Sequence, residues 1–208
     1  TRQYSTEDVS VYILDFASMI MKRFEKLAYV GGVITAREED RFKGFIRMIM
    51  GELENRKEIL SKAGFGSFSV YRESGKRDLP QIILMIDNIA VMRELFPNCD
   101  EELMTLCRDG IAVGISVIAT ASQTAAVGFR YLSYFGKRIC FHSNNTSEYT
   151  MLFDKCRIQP DDDPGRFLTE IDREMYEAQS YIAFPAEKES ERIIEIDRFM
   201  EEVNSSAG

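Results

Sequence analysis

The chain has 208 residues, and 26 Lys and Arg against 34 Asp and Glu give a formal net charge of −8 at pH 7. Nucleic-acid phosphates are held by clustered cations, so this balance disfavours a surface built to grip DNA or RNA. Hydrophobic residues make up 45% of the chain and charged residues 29%, as in a soluble globular domain, which excludes a disordered or fibrous chain. No apolar run approaches the roughly 18 residues that cross a bilayer.

The cysteines and the single histidine leave few ligands for a zinc site. No pair of cysteines has CxxC spacing, and His142 is expected to be a core or edge residue rather than a ligand. This pattern predicts reduced, buried or half-buried thiols of an intracellular protein at Cys99, Cys107, Cys140 and Cys156.

Five short apolar runs are candidate strands: 11–16, 81–87, 115–120, 138–142 and 180–184. Most of them are continuous rather than alternating, which is typical of strands buried on both faces of a parallel sheet.

Helical patterns lie between these runs. The clearest begins at Thr35, which forms a capping box with Glu38, and it ends at Gly64. A second runs from 98 or 100 to Gly110, which is predicted to be a left-handed C-terminal cap. Further helices are expected at 124–135, at 146–154 and along an amphipathic C-terminal segment around 193–203.

Strands that alternate with helices in this way predict an α/β sandwich with right-handed crossovers. The polar segment 64–78 is interpreted as an exposed loop or hairpin and not as a domain boundary. Residues 1–208 are therefore predicted to form a single domain, with a flexible tail at 204–208.

Asp87 ends the apolar run 81–87, which has the form of a Walker B strand, whose Asp contacts the water shell of Mg²⁺. A buried strand that ends in a helix-capping Asp is the alternative. A phosphate-binding P-loop has the pattern GxxxxGKS or GxxxxGKT, and the printed sequence does not contain it.

Five segments then follow one another in an informative order: YSTEDVSVYILDF (4–16), LPQIILMIDN (79–88), LCRDGIAVGISVIATAS (106–122), FGKRICF (135–141) and DPGRF (163–167). Their order and spacing resemble those of FtsK/SpoIIIE-type motor domains, most closely a C-terminal ATPase module of the type VII secretion proteins of the EssC/YukB group. The resemblance covers nearly the whole chain. It implies a RecA-like P-loop NTPase fold, a three-layer sandwich with a mostly parallel sheet. It also implies that this chain starts after the P-loop and lacks the N-terminal strand.

The resemblance assigns roles to a few residues. Asp87 and Thr120 match positions that contact the nucleotide, and Asp87 would hold Mg²⁺ through water. Arg166, in a Pro-Gly-Arg turn, would reach a neighbouring module's nucleotide in trans, with a structural salt bridge as the alternative. The match departs from an active motor at Asn88, where active modules carry Glu or Asp, because an amide cannot accept a proton at neutral pH. It also departs at Ala121, where the family has Gln.

Other polar residues have ordinary structural explanations beside the functional ones. Asp15 matches an acidic position of the family, but an Asp at a strand end is also a frequent turn former. Arg138 is a further candidate cation. The acidic run 161–163 lacks the spacing of an EF-hand and is expected to be a solvated loop.

Two functions remain open. The first is a cytoplasmic module of a bacterial, membrane-anchored type VII secretion ATPase, degenerate and regulatory or substrate-engaging. Its implied cofactors are ATP and Mg²⁺. Its implied partners are neighbouring ATPase modules of the same polypeptide and the C-terminal signal of small helical-hairpin secreted proteins, with the membrane reached only through other parts of the protein. The second is an active ATP-driven motor that translocates DNA or protein, with its P-loop outside this chain. Asn88 and the net charge of −8 favour the first.

Overall fold

The computed structural model describes residues 4–154 and 156–206. Their contacts define two compact units, one formed by 1–121 with 196–208 and the other by 122–195. Each unit is described by itself, and the single domain stays a prediction.

Strands in the described residues are β1 (Val9–Asp15), β2 (Val30–Thr35), β3 (Gln81–Asp87), β4 (Ile115–Ala119), β5 (Ile139–Phe141), β6 (Arg166–Ile171) and β7 (Glu174–Gln179). The α-helices are α1 (Glu39–Lys62), α2 (Phe68–Glu73), α3 (Ile89–Leu95), α4 (Asp100–Asp109), α5 (Thr124–Val127), α6 (Phe129–Leu132), α7 (Ser147–Leu152) and α8 (Glu189–Ser206). Short 3₁₀ helices cover Ile20–Lys26, Pro97–Cys99 and Gly110–Val113.

The first unit is built on a parallel sheet with the strand order β2-β1-β3-β4. Three of its strands, β1, β3 and β4, are predicted apolar runs, whereas β2 is not, and side chains such as Leu14 and Leu84 are fully buried. Because the strands are parallel, their carboxyl ends meet at one edge of the sheet, where Asp15 lies opposite Asp87. In the described part of the chain, β4 pairs with β3 alone.

Helix α1 covers this sheet with the apolar face that its periodicity predicts. Phe42, Ile49 and Leu53 are fully buried, and the ring of Phe42 stacks on that of Phe96 with 4.2 Å between centroids. Arg56 on the same face is buried as well, because it bonds Glu52 at 2.6 Å and the carbonyls that precede β4.

Two predicted helix ends are wrong. Helix α1 begins at Glu39 and not at Thr35, because Thr35 still belongs to β2 and donates its N–H and hydroxyl to the Glu38 carboxylate at 2.9 and 3.0 Å. Gly110 has a φ of −57°, and the left-handed conformation falls on Gly114 with a φ of 81°.

The second unit contains an antiparallel sheet with the order β5-β6-β7. Its inner face, with Cys140 and the fully buried Leu168, packs on Tyr149, Phe153 and Cys156. The predicted strand at 180–184 is wrong, because β7 ends at Gln179 and the residues after it form no strand.

Two predicted helical or loop segments differ in detail. The helix expected at 124–135 is divided into α5 and α6 by Gly128, whose φ is 82°. The expected loop at 64–78 contains the short helix α2, whose first turn is capped by the Ser67 hydroxyl.

The end of α8 belongs to the first unit, where Met200 and Val203 pack against Leu27 and Tyr29. Residues 204–206 of the predicted tail form its last turn, and 207–208 lie outside the described residues. No described helix has both the length and the apolar character required to span a membrane.

Candidate functional site

The predicted nucleotide residues of the first unit lie together at the carboxyl edge of the parallel sheet. Asp87 ends β3, and Thr120 directly follows β4. The Thr120 hydroxyl donates to Asp87 Oδ1 at 2.7 Å and accepts the backbone N–H of Asn88 at 3.0 Å. The arrangement follows from adjacent parallel strands, so the sequence could predict the proximity, while the catalytic roles stay predictions.

Asn88 has a structural task in this arrangement. Its backbone is left-handed, with a φ of 65°, and its side-chain oxygen accepts the N–H of Val91 at 3.3 Å. Asn tolerates this conformation better than most residues and is a good helix cap. The Asn88 side chain, predicted to replace a catalytic carboxylate, therefore caps α3.

Asp15 lies at the same edge and is fully buried. One carboxylate oxygen accepts the N–H of Met19 and the other that of Met21, both at 2.9 Å. Both oxygens hold the chain as it leaves β1, which supports the turn-forming interpretation of this residue.

Magnesium prefers oxygen ligands, and Asp87 with Thr120 offers a carboxylate and a hydroxyl at a partly exposed edge. The pair fits the metal-facing side of a nucleotide site. Within residues 4–154 and 156–206, no group of three His, Cys, Asp or Glu side chains is arranged to hold a metal by itself. The printed sequence contains no P-loop motif for phosphate contacts.

The two arginine candidates lie in the second unit and differ in how they are held. Arg138 donates to the carbonyls of Leu132 and Leu152 at 2.9 and 2.6 Å, so it serves the structure. Arg166 is 3.9 Å from Glu177, and its buried Nε has no hydrogen-bond partner in the described part of the chain. Arg166 is the less committed of the two guanidinium groups.

His142 is an edge histidine, as predicted. Its Nδ1 lies 3.0 Å from the carbonyl oxygen of Pro160, a hydrogen bond that raises the pKa of His142, as does the charge of nearby Asp162. The acidic loop 161–163 is exposed.

The thiols have the properties expected of packing residues. All four cysteines are free, and burial raises the pKa of Cys107 to about 12 and that of Cys140 to about 11. Since the thiolate is the reactive form, these two side chains are poor nucleophiles.

An apolar pocket of about 130 Å³ opens among α5, α6 and α7 of the second unit. It is lined by Thr124, Ala125, Gly128, Phe129, Leu132 and Met151. Phe129 is 74% exposed, although it is a large aromatic residue. The sequence did not identify these residues as a pocket, because the pocket depends on the break between α5 and α6 at Gly128.

A wider cleft of about 610 Å³ lies on the first unit beside α1 and α4. Its lining mixes both signs of charge at Asp40, Lys43, Arg47 and Glu102. None of the predicted nucleotide residues lines this cleft. We therefore place the candidate nucleotide site at the sheet edge, where Asp87 and Thr120 lie together.

The parallel sheet places Asp87 and Thr120 at its carboxyl edge, which is where open α/β sheets bind their ligands. The chain belongs to the FtsK/SpoIIIE family, since the sequence profile of that family matches residues 2–139.

Several relatives are secretion proteins. The chain is 25% identical over 198 residues to the ESX secretion system protein EccC of Geobacillus thermodenitrificans, covering 95% of this chain and 13% of the relative. It is 27% identical over 173 residues to the type VII secretion system protein EssC of Staphylococcus aureus, covering 82% of this chain and 12% of the relative. It thus spans a small part of these relatives, and it resembles an EssC/EccC/YukB secretion ATPase module, as predicted.

Solved structures of such proteins share the fold. EssC ATPases 2 and 3 from G. thermodenitrificans match with a TM-score of 0.90 at 24% identity, covering 98% of this chain and 39% of that one. Thermomonospora curvata EccC ATPases 2 and 3, in complex with a signal sequence peptide, match with a TM-score of 0.80 at 20% identity, covering 98% of this chain and 38% of that one. The predicted α/β fold with a parallel sheet is confirmed, and the small antiparallel sheet is added to it.

Proposed function

We propose that this chain is an ATPase module of a type VII secretion ATPase, cytoplasmic within a bacterial membrane-anchored polypeptide, and that it regulates export or engages substrate rather than hydrolysing ATP efficiently. Its RecA-like sheet would be completed by a P-loop strand beside the open edge of β4. The sequence resemblance to EccC and EssC supports the secretion assignment.

The single observation that carries the degenerate role is the capping side chain of Asn88. An amide is no general base, and losing that base typically slows a reaction by about 10²–10⁴-fold. Because Asn88 Oδ1 accepts the Val91 N–H, the side chain is also held by α3.

The cofactors in this proposal are ATP and Mg²⁺, with Asp87 as the water-mediated Mg²⁺ contact and Thr120 beside it. Arg166 would act on the nucleotide of a neighbouring module, because its guanidinium has only a long ion pair with Glu177. When bound, Mg²⁺ neutralises phosphate charge, and Asp87 and Thr120 would orient its water shell.

The substrate in this proposal is the C-terminal signal of a small helical-hairpin secreted protein. The pocket around Phe129 has the apolar, concave character that accepts side chains from one face of an amphipathic helix. The likeness to an EccC structure that contains a signal sequence peptide supports this choice.

An ATP turnover assay tests the catalytic half. In a polypeptide that extends upstream through the P-loop, we expect little Mg²⁺-dependent hydrolysis and an increase in the Asn88→Glu variant. Substantial hydrolysis by the unmodified protein would contradict a degenerate role.

A titration with C-terminal peptides of the cognate secreted proteins tests the substrate half. Phe129→Ser should weaken saturable binding by about tenfold, since an exposed aromatic anchor contributes on the order of 1–2 kcal/mol. The matched control is Tyr181→Ser, an aromatic residue that is 98% exposed and does not line the pocket.

The preserved hydrogen bond between Thr120 and Asp87 favours a second candidate, an active motor whose P-loop lies outside this chain. Duplex DNA binding with a steep salt dependence, together with no saturable peptide binding, would favour that motor.

A further inference from the structure

The antiparallel sheet of the second unit has an apolar outer face. Cross-strand partners share a face, and one row consists of Ile139, Thr169 and Tyr176, while the next pairs Phe141 with Phe167. The alternate row, with Cys140 and Leu168, faces the buried cluster. We call the five large side chains on the side of the sheet opposite this cluster the outer face: Ile139, Phe141, Phe167, Ile171 and Tyr176.

The outer face is open to solvent in this chain. Ile139 is 56% exposed and Phe141 55%, and the rings of Phe141 and Phe167 meet edge to face with 5.8 Å between centroids. An exposed cluster of this kind on a sheet is typical of an interaction surface, since single exposed apolar residues are ordinary but contiguous ones are not.

The chemistry of the outer face fits an apolar partner rather than a charged one. A carboxylate on this side of the sheet is that of Glu174, which lies at the edge of the face. The Tyr176 hydroxyl donates a hydrogen bond to it at 2.9 Å. The middle of the face presents aliphatic and aromatic groups without a charge. A basic peptide or a nucleic acid would find little to bind there.

The size of the outer face decides between a free and a tethered partner. Strands β6 and β7 have six residues each and β5 has three, so at a strand spacing of about 4.8 Å the sheet covers a footprint on the order of 250 Å². A stable interface between free proteins buries about 800 Å² on each side. A tethered neighbour needs less, because a short linker supplies an effective concentration in the millimolar range.

We propose that the outer face docks an apolar surface of a neighbouring ATPase module in the same polypeptide. This inference rests on the proposed function, in which the chain is one module of a tandem array. Two structures that share the fold carry ATPases 2 and 3 of their proteins, and this chain covers 39% of one and 38% of the other.

Site-specific photo-cross-linking in the full-length polypeptide tests the proposal. With benzoylphenylalanine in place of Tyr176, we expect irradiation to join this site to a segment of the same polypeptide outside 1–208, at a yield that does not depend on protein concentration. Cross-links that rise with concentration would show a second copy instead. Cross-links within 1–208, or none, would overturn the proposal.

Matched lysine variants give the control. Ile171→Lys places a charge on the outer face and should lower the cross-link yield about tenfold or more. Ile158→Lys should leave it unchanged, because Ile158 is 47% exposed against 46% for Ile171 but lies in a loop outside the sheet. Equal yields in both variants would overturn the docking surface.

Failure here is distinguishable from failure of the proposed function. If signal peptides still bind at the pocket while no cross-link forms, the docking surface alone is wrong. If the full-length polypeptide carries no second ATPase module, the secretion assignment fails first.

Discussion

The polar carboxyl edge of the parallel sheet and the outer face of the antiparallel sheet differ in how their side chains are used. At the sheet edge, Asp15, Asn88 and Thr120 are hydrogen-bonded within the chain. On the outer face, large side chains such as Ile139 and Phe141 are more than half exposed. The polar side chains at the sheet edge thus form hydrogen bonds that stabilise this chain, whereas the outer face leaves large apolar side chains exposed.

This difference supports our proposal that the module regulates export or engages substrate rather than hydrolysing ATP efficiently. A catalytic group must meet the reacting atoms, yet Asn88 holds α3 and Asp15 holds the chain after β1. If Asp15, Asn88 and Thr120 contribute little to the free energy of unfolding, this difference between the two regions does not hold.

Asp15→Ala gives the largest expected effect. The substitution removes the acceptor of two N–H groups from a fully buried site, and we expect the free energy of unfolding in urea to fall by about 3 kcal/mol. Phe141→Ala on the outer face should change it by less than about 1 kcal/mol.

A conservative variant at the same position sharpens the test. Asp15→Asn keeps one acceptor oxygen and should cost about half as much as Asp15→Ala, because one of the two backbone N–H groups stays bonded. If Asp15→Ala and Phe141→Ala are equally stable, the edge is not the structural element that we describe.

Thr120→Val gives an intermediate effect. The variant keeps the shape but loses the hydrogen bond to Asp87 and the acceptor of the Asn88 N–H, so urea unfolding should show a loss of about 1 kcal/mol. The control is Thr150→Val, whose hydroxyl bonds only the nearby Ser147 carbonyl at an exposed position. A loss no larger than that of the control would mean that the edge network contributes little.

The sequence predicted β1, β3, β4 and β5 from short apolar runs, and it missed β2, β6 and β7. Strands β1, β3 and β4 are continuous apolar runs, so their pattern was sufficient. Strand β2 carries two glycines, and a Cβ at Gly31 would lie 2.6 Å from the Tyr12 ring, so Gly31 fits a neighbour that only the fold brings close.

In the second unit the apolar pattern does not predict β6 and β7, for a different physical reason. Strands β6 and β7 alternate between a buried face and an exposed face, and their polar residues hide the pattern. The apolar run at 180–184 predicts a strand, yet it forms none and Tyr181 is 98% exposed. Local sequence does not distinguish an apolar residue that packs within a sheet from one that stays exposed on the surface, so exposed apolar residues are no guide to strands.

The candidate site divides in the same way. The meeting of Asp87 and Thr120 follows from the pairing of the parallel strands β3 and β4, both of which the sequence predicted as strands. The double hydrogen bond of Asp15 depends on the left-handed turn at Met19, which has no sequence signature. The pocket at Phe129 depends on short helices that are divided at Gly128.

The smallest expected effect is a change in acid stability at Glu38, also near the sheet edge. Partial burial raises the pKa of this carboxyl, but hydrogen bonds from Thr35 and Arg41 outweigh it and lower the pKa from 4.5 to about 2. A lowered pKa in the folded state adds stability above the ordinary value of 4.5, and that stability is lost as the pH falls toward about 2. Glu38→Gln should therefore flatten the fall in melting temperature across this window. The control Glu39→Gln removes an exposed ion pair with Lys43 and should keep the slope of the unmodified chain. An equally steep fall in both variants would show that the hydrogen bonds of Glu38 with Thr35 and Arg41 do not contribute to acid stability.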